Sequence, residues 1–470
     1  MQNGKRKNET RAMPPTSPAK QARTAGFDAK VSSAAQTESF FENFENFHRK
    51  RIIAKRETPD YTNLSRKQKY AASGAISGGI AVASPAMSAP RVKRKQKVRR
   101  ERLAKFDFTY FTIVIIMLAL GIVTMFSASY AYSFRLHGDS YFYVTRQLMF
   151  IGLGLAVMFL LSRIDYHIML NKHIIRLGAT ISLGLMCLVA IMGTAAGGAV
   201  RWLEIGGTTF QPSEMLKFAV IVVMAYWMHT KYSVLKEFKR GFLPILIFLL
   251  FACGITLAQP HLSGAIIIFS IGFIMMFVGD CKVLHITLVL LAFAVIAGLG
   301  VLLLDALGYD YFNARILSWQ NPEADVRGAT FQTFQSLITI GSGGIFGLGL
   351  GNSRQKYAYL PASHNDFIFS IVCEELGFVG AILVILLFVL FVARGYYIAV
   401  CARDKFGMLL AVGITSQLGI QALLNIGVVT NSLPNTGISL PFFSYGGSAL
   451  VMQMAGIGVV LNISRKAAIE

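Results

Sequence analysis

Acidic residues and paired cysteines are scarce in this sequence. The first scarcity leaves the chain strongly basic, and the second argues against cysteine-based structural sites. The 470 residues include 24 Asp and Glu against 45 Lys and Arg, which gives a formal net charge of +21. Five cysteines are present, but no CxxC motif or histidine pair accompanies them, which argues against a disulfide framework and a zinc site. The excess of basic residues instead indicates contact with an anionic surface.

Nucleotide-binding motifs and a cleavable leader are also missing. The sequence has no GxxxxGK[ST] phosphate loop and no GxGxxG motif after a predicted strand, which argues against a nucleotide-driven pump. The N-terminus is polar and the first apolar run is long enough to span a membrane, so we expect no signal peptide.

Long apolar runs dominate what is present. Hydrophobic residues make up 54% of the chain, charged residues 15%, and the mean hydropathy is +0.54, which is typical of a polytopic membrane protein. A helix needs roughly 20 apolar residues to cross the hydrocarbon core. The candidate runs are Thr109–Tyr130, Tyr143–Ser162, Leu177–Gly193, Met215–Met228, Phe242–Ala258, Leu262–Gly279, Val283–Leu304, Phe367–Val392, Phe406–Val429 and Phe443–Ile463. The sequence therefore predicts an all-α polytopic membrane protein with about ten transmembrane helices and a large extracellular loop between helices 7 and 8.

Lysine and arginine lie on one side of this topology. Basic clusters follow the second, fourth and eighth runs and the last one: Arg163, Lys172, Arg176, Lys231, Lys236, Lys239, Arg240, Arg394, Arg403, Lys405, Arg465 and Lys466. Because basic residues favour the cytoplasmic side of short loops, we expect a multi-pass plasma-membrane protein with both termini cytoplasmic. Residues 466–470 are then a short cytoplasmic C-terminus, and the long loop faces outward.

Residues 1–105 differ from the rest of the chain. They are rich in Lys, Arg, Ser, Ala and Gln and show no periodic apolar pattern, which predicts a basic, largely disordered cytoplasmic tail before a transmembrane domain at residues 106–465. The run RVKRKQKVRRERLAK, Arg91–Lys105, is explained by contact with anionic membrane lipids, and nucleic-acid binding is the weaker alternative. We therefore expect membrane lipids, and no nucleic acid, as partners.

One polar outer segment precedes the fourth run. In AAGGAVRWLEIGGTTFQPSEMLKF, Ala195–Phe218, we place Arg201 in a loop and Glu214 in the first turn of a helix that begins at Pro212. Glu214 and Lys217 are three residues apart, which puts both on one helix face. The pair is either a structural ion pair or a functional site, since ionisable groups near the membrane are costly without a role.

A second polar segment lies in the long loop, at about residues 305–366. Its stretch SWQNPEADVRGATFQ, Ser318–Gln332, carries Glu323 and Asp325, whose side chains would face the same side of an extended chain. One carboxylate can act as general base for a hydroxyl nucleophile where a pocket raises its pKa. On composition alone, two acids in an outer loop are more often simply solvated.

A third segment, Asn352–Phe378, contains both basic and acidic candidates. Arg354 and Lys356 are candidate phosphate contacts, and His364 and Asp366 lie where the eighth helix begins. The two basic side chains are suited to an anionic substrate at the membrane surface.

Three other features each allow two interpretations. Glu374 and Glu375 fall inside a predicted helix, where they form either a proton pathway or, more commonly, a satisfied hydrogen-bond network. The glycine-dense stretch Gly341–Gly351 is best explained as a flexible or re-entrant loop. Proline breaks the helix pattern in Leu433–Leu450, which indicates irregular backbone that is buried or lines a cavity.

Together these stretches resemble the SEDS family, the shape, elongation, division and sporulation proteins. The similar motifs, in the family's order and spacing, are GGAVRWLEIGGTTFQPSEMLKF, WQNPEADVRGATFQ, GLGLGNSRQKYAYLPASHNDFIFSIVCEELG and LPNTGISLPFFSYGGSALV. The resemblance extends from about Phe106 to Ile463. The stretch GLGNSRQKYAYLP is more similar to division-type FtsW and its sporulation relative than to elongation-type RodA.

The resemblance implies a peptidoglycan glycosyltransferase that polymerises lipid II into glycan strands at the division septum. The family's essential aspartate matches Asp325, which would act as general base on the acceptor 4-hydroxyl while undecaprenyl pyrophosphate leaves. The family's polar pair matches Glu214 and Lys217, and the basic residue of its preceding loop matches Arg201. His261 stands where the family usually carries an aspartate, so we assign no acid at that position.

The leaving pyrophosphate requires cationic support. The candidate cations are Arg201, Lys217, Arg354 and Lys356, and Glu214, His364 and Asp366 complete the set of candidate substrate-binding or supporting residues. A divalent cation near Asp325, Mg²⁺ or Mn²⁺, is the candidate cofactor. The resemblance implies as partners lipid II, the nascent glycan strand, a class B penicillin-binding protein and other division proteins.

Two alternative functions come from other classes. A lipid II flippase would use Glu374, Glu375 and other internal polar residues as a transport path, although no repeat between the two halves is evident. A non-catalytic division scaffold would use the tail to recruit partners. Either should largely survive the loss of the Asp325 carboxylate, whereas a transferase should not.

Overall fold

The structure, a computed structural model, describes part of the chain. The described residues are 106–196, 199–205, 208–259, 261–306, 318–328, 330–357, 360–361 and 363–467. The predictions for the tail, residues 1–105, lie outside the described residues.

The described residues are mostly helical, as the sequence predicts. The α-helices are α1 Phe108–His137, α2 Phe142–Arg163, α3 Lys172–Met192, α4 Pro212–Thr230, α5 Leu243–Ala258, α6 Leu262–Val278, α7 Val283–Ala306, α8 Phe331–Ser342, α9 Ile368–Val400, α10 Lys405–Val429 and α11 Gly447–Lys466. Each of the ten predicted runs coincides with one helix. Helix α8, inside the predicted long loop, is additional.

Local side chains explain where several helices begin. The carboxylate of Asp107 accepts a hydrogen bond of 2.9 Å from the Tyr110 N–H at the start of α1. Asp404 accepts one of 2.8 Å from the Gly407 N–H at the start of α10. Both satisfy N–H groups that have no partner within the first helical turn.

Seven helical segments in the described residues are long and apolar enough to cross a membrane by length and composition. These are α1, α2, residues Lys172–Ile191 of α3, the segment Phe238–Ala258 that ends with α5, and α9, α10 and α11. The apolar stretches Leu262–Val278 and Val283–Ile296 are shorter. The chain is therefore a multi-pass membrane protein, while the number of ten crossings stays a prediction.

The outer segment before α4 forms a small sheet rather than a loop. Strand β2, Ala199–Ile205, pairs antiparallel with β1, Thr194–Ala196, and with β3, Thr208–Phe210. The prediction that Arg201 lies in a loop is wrong, since it lies on β2. Two Gly-Gly pairs in this segment are suited to the turns of hairpins, and they outweighed the strand signal in VRWLEI.

The last helix begins later than predicted. We expected a run from Phe443, but α11 begins at Gly447. Pro441 precedes a turn in which Phe442 has a positive φ of 68°, a conformation that ends regular backbone. Residues 431–446 are therefore irregular but largely inside the protein, as expected for backbone buried at membrane depth.

Small residues allow the helices to pack closely. Gly458 of α11 lies against α2, where an added Cβ would be 2.5 Å from the Met158 carbonyl oxygen. Gly154 of α2 faces the Met454 sulfur in the same way, at 2.5 Å. Close backbone contact of this kind supplies dispersion energy between membrane helices, where the hydrophobic effect does not.

Candidate functional site

A buried ion pair lies at the N-terminal end of α4. Pro212 occupies the first position of the helix, and Glu214 follows in the first turn. The Lys217 Nζ lies 2.7 Å from Glu214 Oε1, and both side chains are at least nine-tenths buried. Lys217 also donates a 3.4 Å hydrogen bond to Gln421 of α10. The spacing of three residues correctly predicted this pair.

Three other charged or titratable residues are linked to this pair electrostatically, since His261 interacts with Arg201 and Lys217, and Asp366 interacts with Arg201. We call the five residues the charged cluster. Its members are Arg201, Glu214, Lys217, His261 and Asp366. They come from β2, α4, the residue before α6 and the residues before α9. Segments more than 150 residues apart in sequence thus interact with one another.

Burial shifts the pKa values of two members of this cluster. Burial, with the positive charges of Arg201 and Lys217, lowers the pKa of His261 from 6.5 to about 3, so the imidazole is neutral. Burial raises the pKa of the Asp366 carboxyl from 3.8 to about 6, although the charge of Arg201 opposes this. A carboxyl group with a pKa of about 6 is mostly ionised at neutral pH, so Asp366 adds a negative charge within electrostatic range of Arg201.

Polar residues of α10 complete the cluster, and their role was not predicted from the sequence. Asn425 donates from Nδ2 to the Asp366 carbonyl at 2.7 Å and to the Ile438 carbonyl at 2.6 Å. Gln421 donates from Nε2 to the Ser439 carbonyl at 3.1 Å. A sequence signal for them exists, because Gln417, Gln421 and Asn425 repeat every four residues in an otherwise apolar helix, which places them on one face.

Asp325 lies in a turn of the long loop and its side chain is exposed. The Asp325 N–H donates to Thr330 Oγ1 at 3.3 Å, and its carbonyl accepts from the Gly328 N–H at 3.1 Å. A Cβ on residue 328 would lie 2.2 Å from Asp325 Oδ2. Glycine at this position therefore leaves room for the carboxylate.

The turn corrects one expectation about this loop. Residues 322–328 form turns, so Glu323 and Asp325 do not share a face of an extended segment. An open pocket of about 400 Å³ is lined by Asn321, Pro322, Glu323 and Ala324, the four residues that precede Asp325 in sequence. Asp325 is the next residue along the chain, and its exposed side chain is accessible to a substrate hydroxyl group.

Glu374 and Glu375 belong to a hydrogen-bond network, which is the commoner of the two interpretations. Glu375 Oε1 accepts from Ser127 Oγ at 2.5 Å and from the Ser353 N–H at 3.3 Å. Glu374 accepts from the Arg354 N–H at 3.0 Å and from the Ser353 hydroxyl. Both carboxylates are fully buried, so these contacts hold the segment before α9 against α1 and α9.

Lys356 belongs to the same network. Its Nζ lies 3.4 Å from Glu375 Oε1 and donates to Ser127 Oγ at 3.1 Å and to the Gly351 carbonyl at 2.5 Å. These are the contacts of a structural ion pair, because they use all three donors of the ammonium group. A contact of Lys356 with phosphate stays a prediction, whereas the exposed Arg354 side chain is free of this constraint.

His364 is held among aromatic rings. Its imidazole lies 4.8 Å from the Tyr132 ring and 4.9 Å from the Tyr143 ring, centroid to centroid. Its carbonyl accepts from the Tyr445 N–H at 2.9 Å. Burial lowers the pKa of His364 to about 4, so it is a neutral residue that joins α1, α2 and the segment before α11.

The described residues contain no group of three His, Cys, Asp or Glu side chains that could hold a metal ion. Near Asp325 the protein supplies Glu323 as a second carboxylate. Mg²⁺ commonly takes one or two protein carboxylates and completes its shell with substrate phosphates and water. A divalent cation here would therefore depend on the substrate for most of its ligands.

Comparison with known proteins identifies relatives over the helical part of the chain. The family model described as cell cycle protein, for FtsW, RodA and SpoVE, matches residues 107–469. Stage V sporulation protein E of Bacillus subtilis is 38% identical over 359 residues, which are 76% of this chain and 97% of that protein. A protein named probable peptidoglycan glycosyltransferase FtsW, from a Geobacter species, is 35% identical over 370 residues, 78% of this chain and 98% of that protein.

A solved structure has the same fold, and it is described as "Structural coordination of polymerization and crosslinking by a peptidoglycan synthase complex". The similar chain in it has a TM-score of 0.64 and 28% sequence identity. The match covers 78% of this chain and 99% of that one.

Proposed function

This chain belongs to the FtsW, RodA and SpoVE family of cell cycle proteins, and we propose that it is a peptidoglycan glycosyltransferase that polymerises lipid II. The names of its relatives support the activity, since one is called a probable peptidoglycan glycosyltransferase and is covered over 98% of its length. The observation that carries the proposal is the exposed Asp325 side chain, which directly follows in sequence the residues that line an open pocket, in the loop that resembles the catalytic loop of the family.

The proposed reaction is an inverting displacement. Asp325 accepts the proton of the acceptor N-acetylglucosamine 4-hydroxyl as its oxygen attacks the anomeric carbon of the donor N-acetylmuramic acid. The new glycosidic bond forms as the bond to the lipid pyrophosphate breaks, and the bonding electrons leave with the pyrophosphate. The energy comes from the glycosyl–pyrophosphate bond, so no nucleotide is needed.

Charge develops on the leaving pyrophosphate, and the charged cluster is suited to stabilise it. The basic side chains of Arg201 and Lys217 both lie close enough to His261 to lower its pKa, and burial keeps that imidazole neutral, so two basic groups meet near one point. Cations placed in a site shielded from water stabilise developing negative charge more strongly than they do in water. The exposed Arg354 is a further candidate for this contact, on the loop side.

We also propose a partner and a place in the cell. The similar solved structure is described as that of a synthase complex that coordinates polymerisation and crosslinking, which supports a class B penicillin-binding protein as partner. The basic clusters between helices support an orientation with both termini in the cytoplasm. Asp325 would then lie outside the cell, where lipid-linked substrate is displayed at the division septum.

The test is polymerisation of fluorescent lipid II by the full chain with its penicillin-binding partner, whose transpeptidase is blocked. Asp325→Asn keeps the shape of the side chain and removes the base, so we expect a loss of polymer of at least a hundredfold, as is typical for a general base. Glu237→Gln is the matched control, since it neutralises an exposed carboxylate in a different loop, and it should retain most activity.

The other outcomes separate the alternatives. Equal polymer from wild type and Asp325→Asn would remove Asp325 as the base. No polymer from wild type, together with movement of lipid II across vesicle membranes, would favour the flippase. The buried Glu374 and Glu375 are held by serine, lysine and backbone donors, which speaks for a structural rather than a transporting role.

A further inference from the structure

The segment between α10 and α11 contacts the charged cluster along one side, and we call residues 431–439 the strap. Its Ile438 carbonyl accepts from Asn425, which also holds the Asp366 carbonyl. Its Ser439 carbonyl accepts from Gln421 at 3.1 Å, and Gln421 in turn accepts from Lys217. The strap is therefore joined through one bridging residue to the backbone of Asp366, by Asn425, and through one to Lys217, by Gln421.

Hydrogen bonds also join the strap to both ends of the loop that carries Asp325. Trp319 Nε1 donates to the Asn431 carbonyl at 3.1 Å, and Asn431 Nδ2 donates back to the Trp319 carbonyl at 3.0 Å. Asn435 Nδ2 donates to Gln332 Oε1 at 3.3 Å. The two fastening points on the loop, residues 319 and 332, lie 13 positions apart and enclose Asp325.

A third contact joins the two ends of this loop to each other, next to the residues that bond to the strap. Ser318 Oγ lies 3.2 Å from Thr333 Oγ1, and both residues are buried. Residues 318–333 thus form a closed loop with Asp325 near its tip. Because the two ends are joined to each other and to the strap, the base of the loop has little freedom to turn relative to the charged cluster.

The backbone of the strap suits a fixed spacer. Asn431 has a positive φ of 56° and Gly437 one of 67°, while Pro434 fixes its own φ. Asn435 Oδ1 accepts from the Gly437 N–H at 3.2 Å, which closes a local turn. Such a segment holds its two ends at a defined separation better than a flexible linker does.

We propose that Trp319 and Asn431 are positioning residues: their paired hydrogen bonds hold the Asp325 loop, through the strap, in a fixed place relative to the charged cluster. This inference rests on the proposed function, in which Asp325 removes a proton while the cluster stabilises the leaving pyrophosphate. The two groups act on opposite ends of one displacement, so their separation determines whether both are in place at the transition state.

The kinetic test uses two variants that remove one hydrogen bond each. Trp319→Phe keeps an aromatic ring and removes the N–H donor, and Asn431→Gly removes the amide donor while tolerating the positive φ. With lipid II as substrate and the penicillin-binding partner present, we expect each to lower kcat about tenfold and to leave KM within about twofold. Asp325 would be misplaced while the substrate contacts remain.

A double variant and a matched tryptophan control test whether the loss of kcat comes from the hydrogen bonds between Trp319 and Asn431. Both changes break the same bridge, so Trp319→Phe/Asn431→Gly should be no slower than the slower single variant by more than about twofold. Trp227→Phe removes an indole N–H that has no hydrogen-bond partner among the described residues and should leave kcat unchanged. Multiplying effects in the double variant, or a raised KM at full kcat, would overturn the positioning role.

A second measurement does not depend on catalysis. Hydrogen–deuterium exchange of the full chain in detergent should rise in residues 318–330 of Asn431→Gly, and not in Trp227→Phe. Unchanged exchange there would overturn the fastening itself. If the wild type makes no polymer while exchange rises as expected, then the proposed function fails and the fastening stands. If Asp325→Asn abolishes polymer but Trp319→Phe has full kcat, the function stands and the positioning role fails.

Discussion

Glu214 and Lys217 place two opposite charges where water has almost no access. The Lys217 Nζ lies 2.7 Å from Glu214 Oε1, and Lys217 is 2% exposed. Taking both groups out of water costs several kcal/mol, which their attraction and hydrogen bonds only partly offset. A pair of this kind adds little stability to the fold, so its presence in an otherwise apolar helix favours a role toward an anionic ligand.

Stability and activity should therefore separate at the pair. Lys217→Met leaves the Glu214 carboxylate buried without its cation and should destabilise the protein by about 3–5 kcal/mol. The double variant Glu214→Gln/Lys217→Met leaves no unpaired charge and should recover most of that loss. Thermal unfolding in detergent measures both, with wild type alongside.

Polymerisation of lipid II should stay low in both variants, because neither retains the Lys217 cation. A double variant that regains activity together with stability would show that the pair is only structural. Spacing along the helix was enough to predict the contact between Glu214 and Lys217. Arg201, His261 and Asp366 come from other segments, and family resemblance, not the spacing of residues, pointed to Arg201.

At the scale of elements, the glycine-dense segment Gly341–Gly351 forms hydrogen bonds with the backbone of α9 where that helix is interrupted. The helix is interrupted at Gly377, with φ 68° and ψ −168°. The Leu348 N–H donates to the Glu374 carbonyl at 2.9 Å, and the Phe378 N–H donates to the Gly344 carbonyl at 2.9 Å. Backbone groups freed by the break thus find partners inside the protein, as membrane depth requires.

Gly377→Ala tests this packing. A Cβ at residue 377 would lie 2.3 Å from the Gly347 nitrogen, and the backbone conformation is one that only glycine adopts readily, at a cost of about 1–3 kcal/mol for other residues. We expect a lower unfolding temperature in detergent. Gly341→Ala is the matched control, since nothing lies within 4 Å of its added Cβ and alanine favours helix α8. Equal unfolding temperatures for the two variants would contradict the close contact.

The element-level prediction for this segment was incomplete for a physical reason. Glycine density indicates close approach of two backbones, and the sequence predicted a flexible or re-entrant loop there. It did not show which helix would receive the segment, and it did not predict α8, Phe331–Ser342. Helix α8 buries Thr333, Ser336 and Thr339 rather than large apolar residues, so its pattern gave little signal in a search for apolar runs.

At the scale of the whole molecule, the basic loops predict the orientation of the chain in the membrane, and this orientation can be measured directly. Glu323 and Lys236 are both exposed and lie in loops predicted to be on opposite sides. After replacement of the five native cysteines, Glu323→Cys should react with a membrane-impermeant maleimide in intact spheroplasts. Lys236→Cys should react only after the membrane is permeabilised. The reverse pattern would place Asp325 in the cytoplasm and remove its access to substrate outside the cell.

The sequence by itself determined the features that depend on neighbours along the chain. Apolar runs of sufficient length gave the membrane helices, because each helix satisfies its own backbone groups. Pro212 and a three-residue spacing gave the start of α4 and its ion pair. Resemblance to the family added Asp325, which composition alone leaves as one solvated acid among others.

Only the tertiary structure decided the features that depend on where distant segments meet. Lys356 donates a hydrogen bond to Ser127, 229 residues away, a contact that nothing in its own segment indicated. Trp319 and Asn431 exchange two hydrogen bonds across 112 residues. No periodicity encodes such contacts, because they arise when helix packing brings loops together and each buried polar group must then find a partner.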